Sequence, residues 1–255
     1  MLLNPDFTFE TFVVGKDHSC AHAAAWAAAN APATSHNPLF IHGRSGLGKT
    51  HLLHAIGNHV LARLPASHVT YLTMERFLND FVKMVRTSTG DEFRRRYQRV
   101  DVLLIDDLQF LAGREHTQEE LFHTINGLMQ WNTRIVLASD IHPLLLPKLM
   151  GRLTTRFAAG AVTQVQAPDF ETRLAILCTL SAGAAVQPSA EVLELIATQV
   201  DGNVFELEGA LNRVIAYQNL EGRPLPLRVA GWFLRDTFYA GHCATSTGDQ
   251  VRRPG

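Results

Sequence analysis

The sequence predicts an α/β fold: a parallel sheet flanked by helices over residues 1–165, then a small all-helical domain over 166–240. Three observations predict it. Gly43-Arg44-Ser45-Gly46-Leu47-Gly48-Lys49-Thr50 lies between the apolar run Leu39-Phe40-Ile41 and a segment of helical spacing that begins at His51. That is G-x-x-x-x-G-K-[ST] in its confirming context of strand, glycine loop and helix. Two further runs, Val100 to Asp107 and Arg134 to Asp140, are apolar without alternation and end in polar residues, as strands buried on both faces do. After Val162-Thr163-Gln164-Val165 the strand pattern stops, and segments opened by Pro168-Asp169, Pro188-Ser189 and Asn203-Val204-Phe205-Glu206 read as successive helices.

Taken in order, residues 4–14 are aromatic-rich and extended, and an alanine-rich helix runs from about Ser19 to Asn30. The loop helix continues to about Leu64, stopped by Pro65. Val69 to Leu72 is β-prone, and Thr73 is an N-cap candidate for a helix reaching about Val85. A basic helix is expected over Asp91 to Arg99 and another over Glu119 to Gln130. In the helical part, Asn203 and Glu206 have the spacing of a capping box, and a fourth helix after Pro226 ends near Tyr239. The composition of residues 241–255 predicts disorder.

Composition bounds the function. The 255 residues are 46% hydrophobic and 18% charged, enough for a sizeable core. The net charge of −1 argues against a strong autonomous binder of nucleic acid, so any DNA contact is expected to be local or built by several copies. Three separated cysteines indicate neither a disulfide framework nor a zinc site and fit a reducing cytoplasm. No stretch is apolar enough to span a membrane, and the first residues do not read as a signal peptide. His51 and His54, one turn apart, read as helix-surface histidines rather than a metal pair.

The loop residues imply a nucleoside triphosphate. Gly43, Ser45, Gly46, Leu47, Gly48 and His51 would surround its phosphates with backbone N–H groups, Lys49 would reach the β and γ oxygens, and the Thr50 hydroxyl would be a ligand for Mg²⁺. Asp106 and Asp107 follow Lys49 by 57 and 58 residues, at the end of the buried strand. One could hold Mg²⁺ and the other orient the attacking water. Asp140, at the next strand end, either senses the γ-phosphate or caps the turn before Pro143. Arg152 and Arg156, one turn apart, taken alone read better as a solvated helix face than as an arginine finger.

Several strings together resemble the DnaA family of bacterial replication initiators, the AAA+ P-loop ATPases that open origins. They are Asn4 to Gly15, the loop with Thr50 to Asn58, Val100 to Ala112, Thr117 to Thr124 and Glu206 to Arg213. The resemblance covers about residues 4–239 and implies an ATP-binding AAA+ core that uses ATP or ADP with Mg²⁺. It implies head-to-tail self-assembly, binding of single-stranded and origin DNA, and a cytoplasmic, nucleoid-associated site of action. Helicase or clamp-associated regulators, and acidic membrane lipids, are further partners that the family suggests.

By the same resemblance, Val13, Val14 and Gly15 would pack against adenine, Asp140 would be the first sensor, and Arg156 the finger reaching a neighbour's nucleotide. Residues 77–118 match an initiator-specific helical insertion, with Val82, Arg114 and His116 at or beside single-stranded DNA. The Arg94-Arg95-Arg96 and Arg99 cluster still reads better as a solvated face.

Two residues depart from the family. The lid-helix position that carries a γ-phosphate-reading arginine is Phe205, which puts lid coupling and hydrolysis in question, and His18 stands where asparagine is usual. The resemblance also implies that duplex origin boxes are read by a helix-turn-helix domain, and none is recognised within these residues. The alternative is a DnaA-like regulator acting by protein–protein contact, of the Hda type. Met1-Leu2-Leu3-Asn4-Pro5 does not resemble the clamp-binding peptide such regulators carry.

Overall fold

The computed structural model describes residues 2–15, 18–31, 35–87, 100–232 and 234. The basic helix expected over 91–99 and the tail 241–255 lie outside them. The chain divides into two compact units, Met1–Ala167 and Pro168–Gly255.

In the first unit the elements run α1 (Ser19–Asn30), β1 (Leu39–His42), α2 (Lys49–Arg63), β2 (Val69–Thr73), α3 (Met74–Thr87) and β3 (Val102–Asp106). A 3-10 turn at Leu108–Leu111, α4 (Glu115–Gln130), β4 (Arg134–Ser139), α5 (Gly151–Ala158) and β5 (Ala161–Gln164) follow. All pairings are parallel and the order is β2-β3-β4-β1-β5. The period of two in a strand sends alternate side chains to opposite faces. Val102, Leu104, Val136, Ala138, Leu39 and Ile41 enter one core with α1 and α2. Leu103, Ile105, Ile135, Leu137 and Phe40 enter the other with α3, α4 and α5. Both faces are covered, which is why the strands read as unbroken apolar runs.

The second unit holds α6 (Phe170–Ser181), α7 (Ala190–Gln199) and α8 (Val204–Glu221), with residues 227–232 also helical. Asp169 accepts from the Thr172 N–H at 2.8 Å and Asn203 from the Glu206 N–H at 3.0 Å, so both starts are capped by side chains. Leu177, Ile196, Leu207, Leu211 and Val214 form their own core.

The aromatic-rich residues 3–12 form a strap across α1 and α2. His51, His54 and Asn58, at spacings of three and four, share one face of α2 and clasp it. His54 Nδ1 accepts from the Asn4 N–H at 2.8 Å, Asn58 Nδ2 donates to the Asn4 and Phe7 carbonyls at 2.7 and 2.9 Å, and His51 Nε2 meets the Thr8 carbonyl at 2.8 Å. Phe7 stacks on His51, and Phe9 packs edge-on against His22 and Trp26. The expectation of helix-surface histidines is corrected here. His54 is only 6% exposed, because the strap covers that face.

Burial, the largest cause, holds His22, His51 and His54 below the ordinary imidazole value of 6.5. A folded value below the unfolded one favours the neutral ring in the folded state. The stabilisation is therefore complete above about 6.5 and lost as pH falls through the folded values. His54 adds a geometric reason, since an Nδ1 that accepts an N–H cannot carry a proton. Melting temperature should be flat above about pH 7 and fall below about pH 6. In His54→Phe the acid decline should be shallower, with a loss of about 1 kcal/mol at neutral pH from the missing bond. An unchanged acid limb would show that the clasp does not cause it.

Candidate functional site

The site is built where β1, β3 and β4 end side by side. Leaving β1, the loop packs Leu47 into the core at 3% exposure, while Ser45 is exposed. Gly43 lies against the Val165 backbone, where a Cβ would overlap the carbonyl oxygen. Gly48 has φ +96, a left-handed conformation, and Phe12 of the strap would stand 3.0 Å from a Cβ there. No side chain caps α2, so the N–H groups of its first turn face the loop with the helix dipole behind them.

Lys49 is 6% exposed and its ammonium is fully engaged. It donates to the Gly43 carbonyl at 2.7 Å, the Arg44 carbonyl at 3.0 Å and Asp140 Oδ1 at 2.7 Å. Asp140 therefore does not cap the following turn; His142 does, accepting from the Leu144 N–H at 3.2 Å. Thr50 Oγ1 donates to Asp106 Oδ2 at 2.6 Å, and Asp106, 2% exposed, also accepts from Tyr71 Oη at 3.3 Å. A hydroxyl and a carboxylate touching beside a phosphate loop are hard oxygen donors of the kind Mg²⁺ selects, so the donor set fits that ion. Among the described residues no group of three or more His, Cys, Asp or Glu could hold a metal, and two protein ligands with phosphate oxygens is how Mg²⁺ is usually kept.

Asp107 adopts φ 57, ψ 43 and starts the 3-10 turn. It is half-buried. Desolvation, then the Asp106 and Asp140 charges, push its carboxyl above the ordinary range, while a bond from Gln109 and the charge of Lys49 oppose them. Burial and the Asp106 charge likewise push the Tyr71 phenol up, so it stays a donor.

The other candidates lie apart from this cluster. The His51 ring is taken up by the strap. Val14 is 47% exposed beside a half-buried Gly15. His18, 2% exposed, bonds the Gln166 carbonyl through Nε2 at 2.8 Å, and its Nδ1 is buried without a protein partner. Arg156, half-buried on α5, lines a groove of about 440 Å³ with Phe122, Arg152 and Thr155. Arg152 sits 4.9 Å from the Phe122 ring centroid. Val82 and His116 are brought together in a groove of about 570 Å³ between α3 and α4, whose lining also includes Arg86, Glu119 and Glu120. Arg114, exposed at the start of α4, is not in that lining. The cluster at residues 94–99 falls outside the described residues.

Sequence reasoning missed three residues. Tyr71 read only as a β-prone residue. Gln118, with no exposed surface, donates to the Leu111 and Lys148 carbonyls at 3.2 and 2.9 Å and accepts from the Met150 N–H at 2.7 Å, fixing the entry to α5. Gln109 bonds Asp107 and Asp140. No single-residue signal marks them, since each acts on a partner remote in sequence.

Comparison with known proteins places this geometry. Residues 3–164 match the family model of the bacterial DnaA ATPase domain. The structure is similar to the crystal structure of domain III of the Thermotoga maritima replication initiation protein DnaA, at 43% identity and TM-score 0.89, covering 92% of this chain and 98% of that one. It is also similar to a replication initiator DnaA bound to AMPPCP and single-stranded DNA, at 36% identity and TM-score 0.77 over 84% of this chain. The chain spans 66% of that longer protein. Thermotoga maritima RuvB, at 16% identity and TM-score 0.66, shares the AAA+ fold.

The left-handed Gly48 gives a direct test of the loop. Gly48→Ala should cost about 1–2 kcal/mol for the conformation, or roughly 2–8 °C in melting temperature, and weaken triphosphate binding as Phe12 is displaced. Calorimetric binding at wild-type strength would show that the loop tolerates a Cβ there.

Proposed function

The chain belongs to the bacterial DnaA ATPase domain family, and from that premise we propose that it is the ATP-binding, slowly hydrolysing core of a replication initiator. One observation carries the reading: the loop lysine, the hydroxyl–carboxylate pair Thr50–Asp106 and the acids Asp107 and Asp140 converge on one set of strand ends.

In this reading the N–H groups at the start of α2 and the Lys49 ammonium bind the β and γ phosphates, and Val13, Val14 and Gly15 pack on adenine. Thr50 and Asp106 hold Mg²⁺, which when bound neutralises charge on the β and γ oxygens. Lys49 exchanges Asp140 Oδ1 for a phosphate oxygen, and the released Asp140 turns to the γ-phosphate side. Asp107 orients the attacking water. Arg156, supplied by the next copy, completes the neighbour's site and makes assembly depend on ATP. Val82, His116 and Arg114 meet single-stranded DNA along the assembled copies. The near-neutral charge supports a channel built from several copies rather than one autonomous binding face.

Phe205 sits in the first turn of α8 at 67% exposure, and no basic residue shares that turn. A phenyl ring neither donates a hydrogen bond to phosphate nor neutralises its charge. Lid closure is therefore weakly tied to nucleotide state, and hydrolysis is slow.

Two measurements test the reading. Lys49→Ala should weaken ATP binding by about 10- to 100-fold, the worth of a lost charged hydrogen bond; unchanged binding by calorimetry would contradict the site. Phe205→Arg should raise ATP turnover, and an unaltered rate would show that this position does not read the γ-phosphate.

A further inference from the structure

Gln109 occupies a place that the family reading leaves without a role. Its Oε1 accepts from the Asp140 backbone N–H at 3.2 Å, and that bond fixes which way the amide faces. The Nε2 then points between two carboxylates, donating to Asp107 Oδ1 at 2.9 Å and more weakly to Asp140 Oδ2 at 3.4 Å. Both amide hydrogens are used. The left-handed backbone at Asp107 makes this possible, because it turns the 3-10 segment so that Gln109 folds back over the ends of β3 and β4. Asp140 holds Lys49 through its other oxygen, Oδ1. A continuous line of contacts therefore runs from Lys49 through Asp140 and Gln109 to Asp107.

We propose that Gln109 is a positioning residue that holds Asp107 for the attacking water and ties that position to Asp140's engagement of the phosphates. The proposal rests on the reading of the site as an ATPase centre. In the step concerned, the water oxygen bonds to the γ-phosphorus as the bond to the β–γ bridging oxygen breaks. ADP keeps that electron pair, and the water's proton leaves toward Asp107. Gln109 occupies Oδ1 and leaves the other carboxylate oxygen for the water. A neutral amide suits this place, since it donates to two acids without adding charge. When triphosphate draws Lys49 away from Asp140 and Asp140 turns toward the γ-phosphate, the Gln109 amide passes that displacement to Asp107.

The test compares the wild type with Gln109→Ala and Gln109→Met, the second keeping the side chain's length. ATP affinity, turnover and affinity for ADP with aluminium fluoride, which mimics the transferring phosphoryl group, are measured on each. Both variants should bind ATP within about twofold of the wild type, while turnover and affinity for the fluoride complex fall roughly 10- to 100-fold. Variants that keep both overturn the proposal, and so does a parallel loss of ATP binding, which would mark a purely structural role. The fluoride measurement decides the matter even where turnover is too slow to follow, and a wild type that binds the complex no tighter than Gln109→Met also overturns the proposal. A wild type that binds no ATP at all would instead overturn the ATPase reading, and the proposal with it.

Discussion

A single buried ammonium organises the nucleotide loop. Removing a lysine from water costs several kcal/mol unless its charge is matched and its hydrogens are bonded. Lys49, at 6% exposure, meets both demands through the Gly43 and Arg44 carbonyls and Asp140. Those partners belong to the loop itself and to the end of β4, so satisfying one charge closes the loop and fixes it against the sheet. Asp140 is 36% exposed, which leaves this pair the partly solvated, exchangeable one. In the proposed reading, a γ-phosphate would take the carboxylate's place without stranding the lysine.

The strap gives the loop a second constraint from the opposite side. Phe12 rests on Gly48, and His51 and His54 of α2 bind the strap's backbone. His54 also lies 4.2 Å from the Tyr71 ring, whose hydroxyl donates to Asp106. Strap, helix and the Thr50–Asp106 pair are therefore one packed assembly, and the glycines are required where the strap and the Val165 backbone come closest. The second unit has its own capped helices and its own core, with Phe205 exposed in the first turn of α8.

Much of this was legible in the sequence for identifiable reasons. The glycine loop, the apolar runs of β3 and β4, the helix start at Pro168-Asp169 and the capping box at Asn203 are local patterns, and their chemistry depends on neighbours in the chain. The strand alternation between two cores was not legible, because residues buried on both faces lose their polar marker. The histidines misled for the reverse reason: what hides His54 is a strap 50 residues earlier. Gln109, Gln118 and Tyr71 were invisible as site residues, since an uncharged donor gains its meaning only from the acid or carbonyl it meets. The partner of Asp140 was not legible either: its Oδ1 meets Lys49, and His142 rather than Asp140 caps the turn.

The central claim is that Thr50 and Asp106 hold the metal while Lys49 and the loop hold the phosphates. Titrating ATP into the wild type and Asp106→Asn, each with and without Mg²⁺, separates the two. The account predicts a gain in affinity from Mg²⁺ in the wild type that is largely lost in Asp106→Asn, with metal-free binding retained in both. An equal Mg²⁺ gain in the two proteins would contradict it.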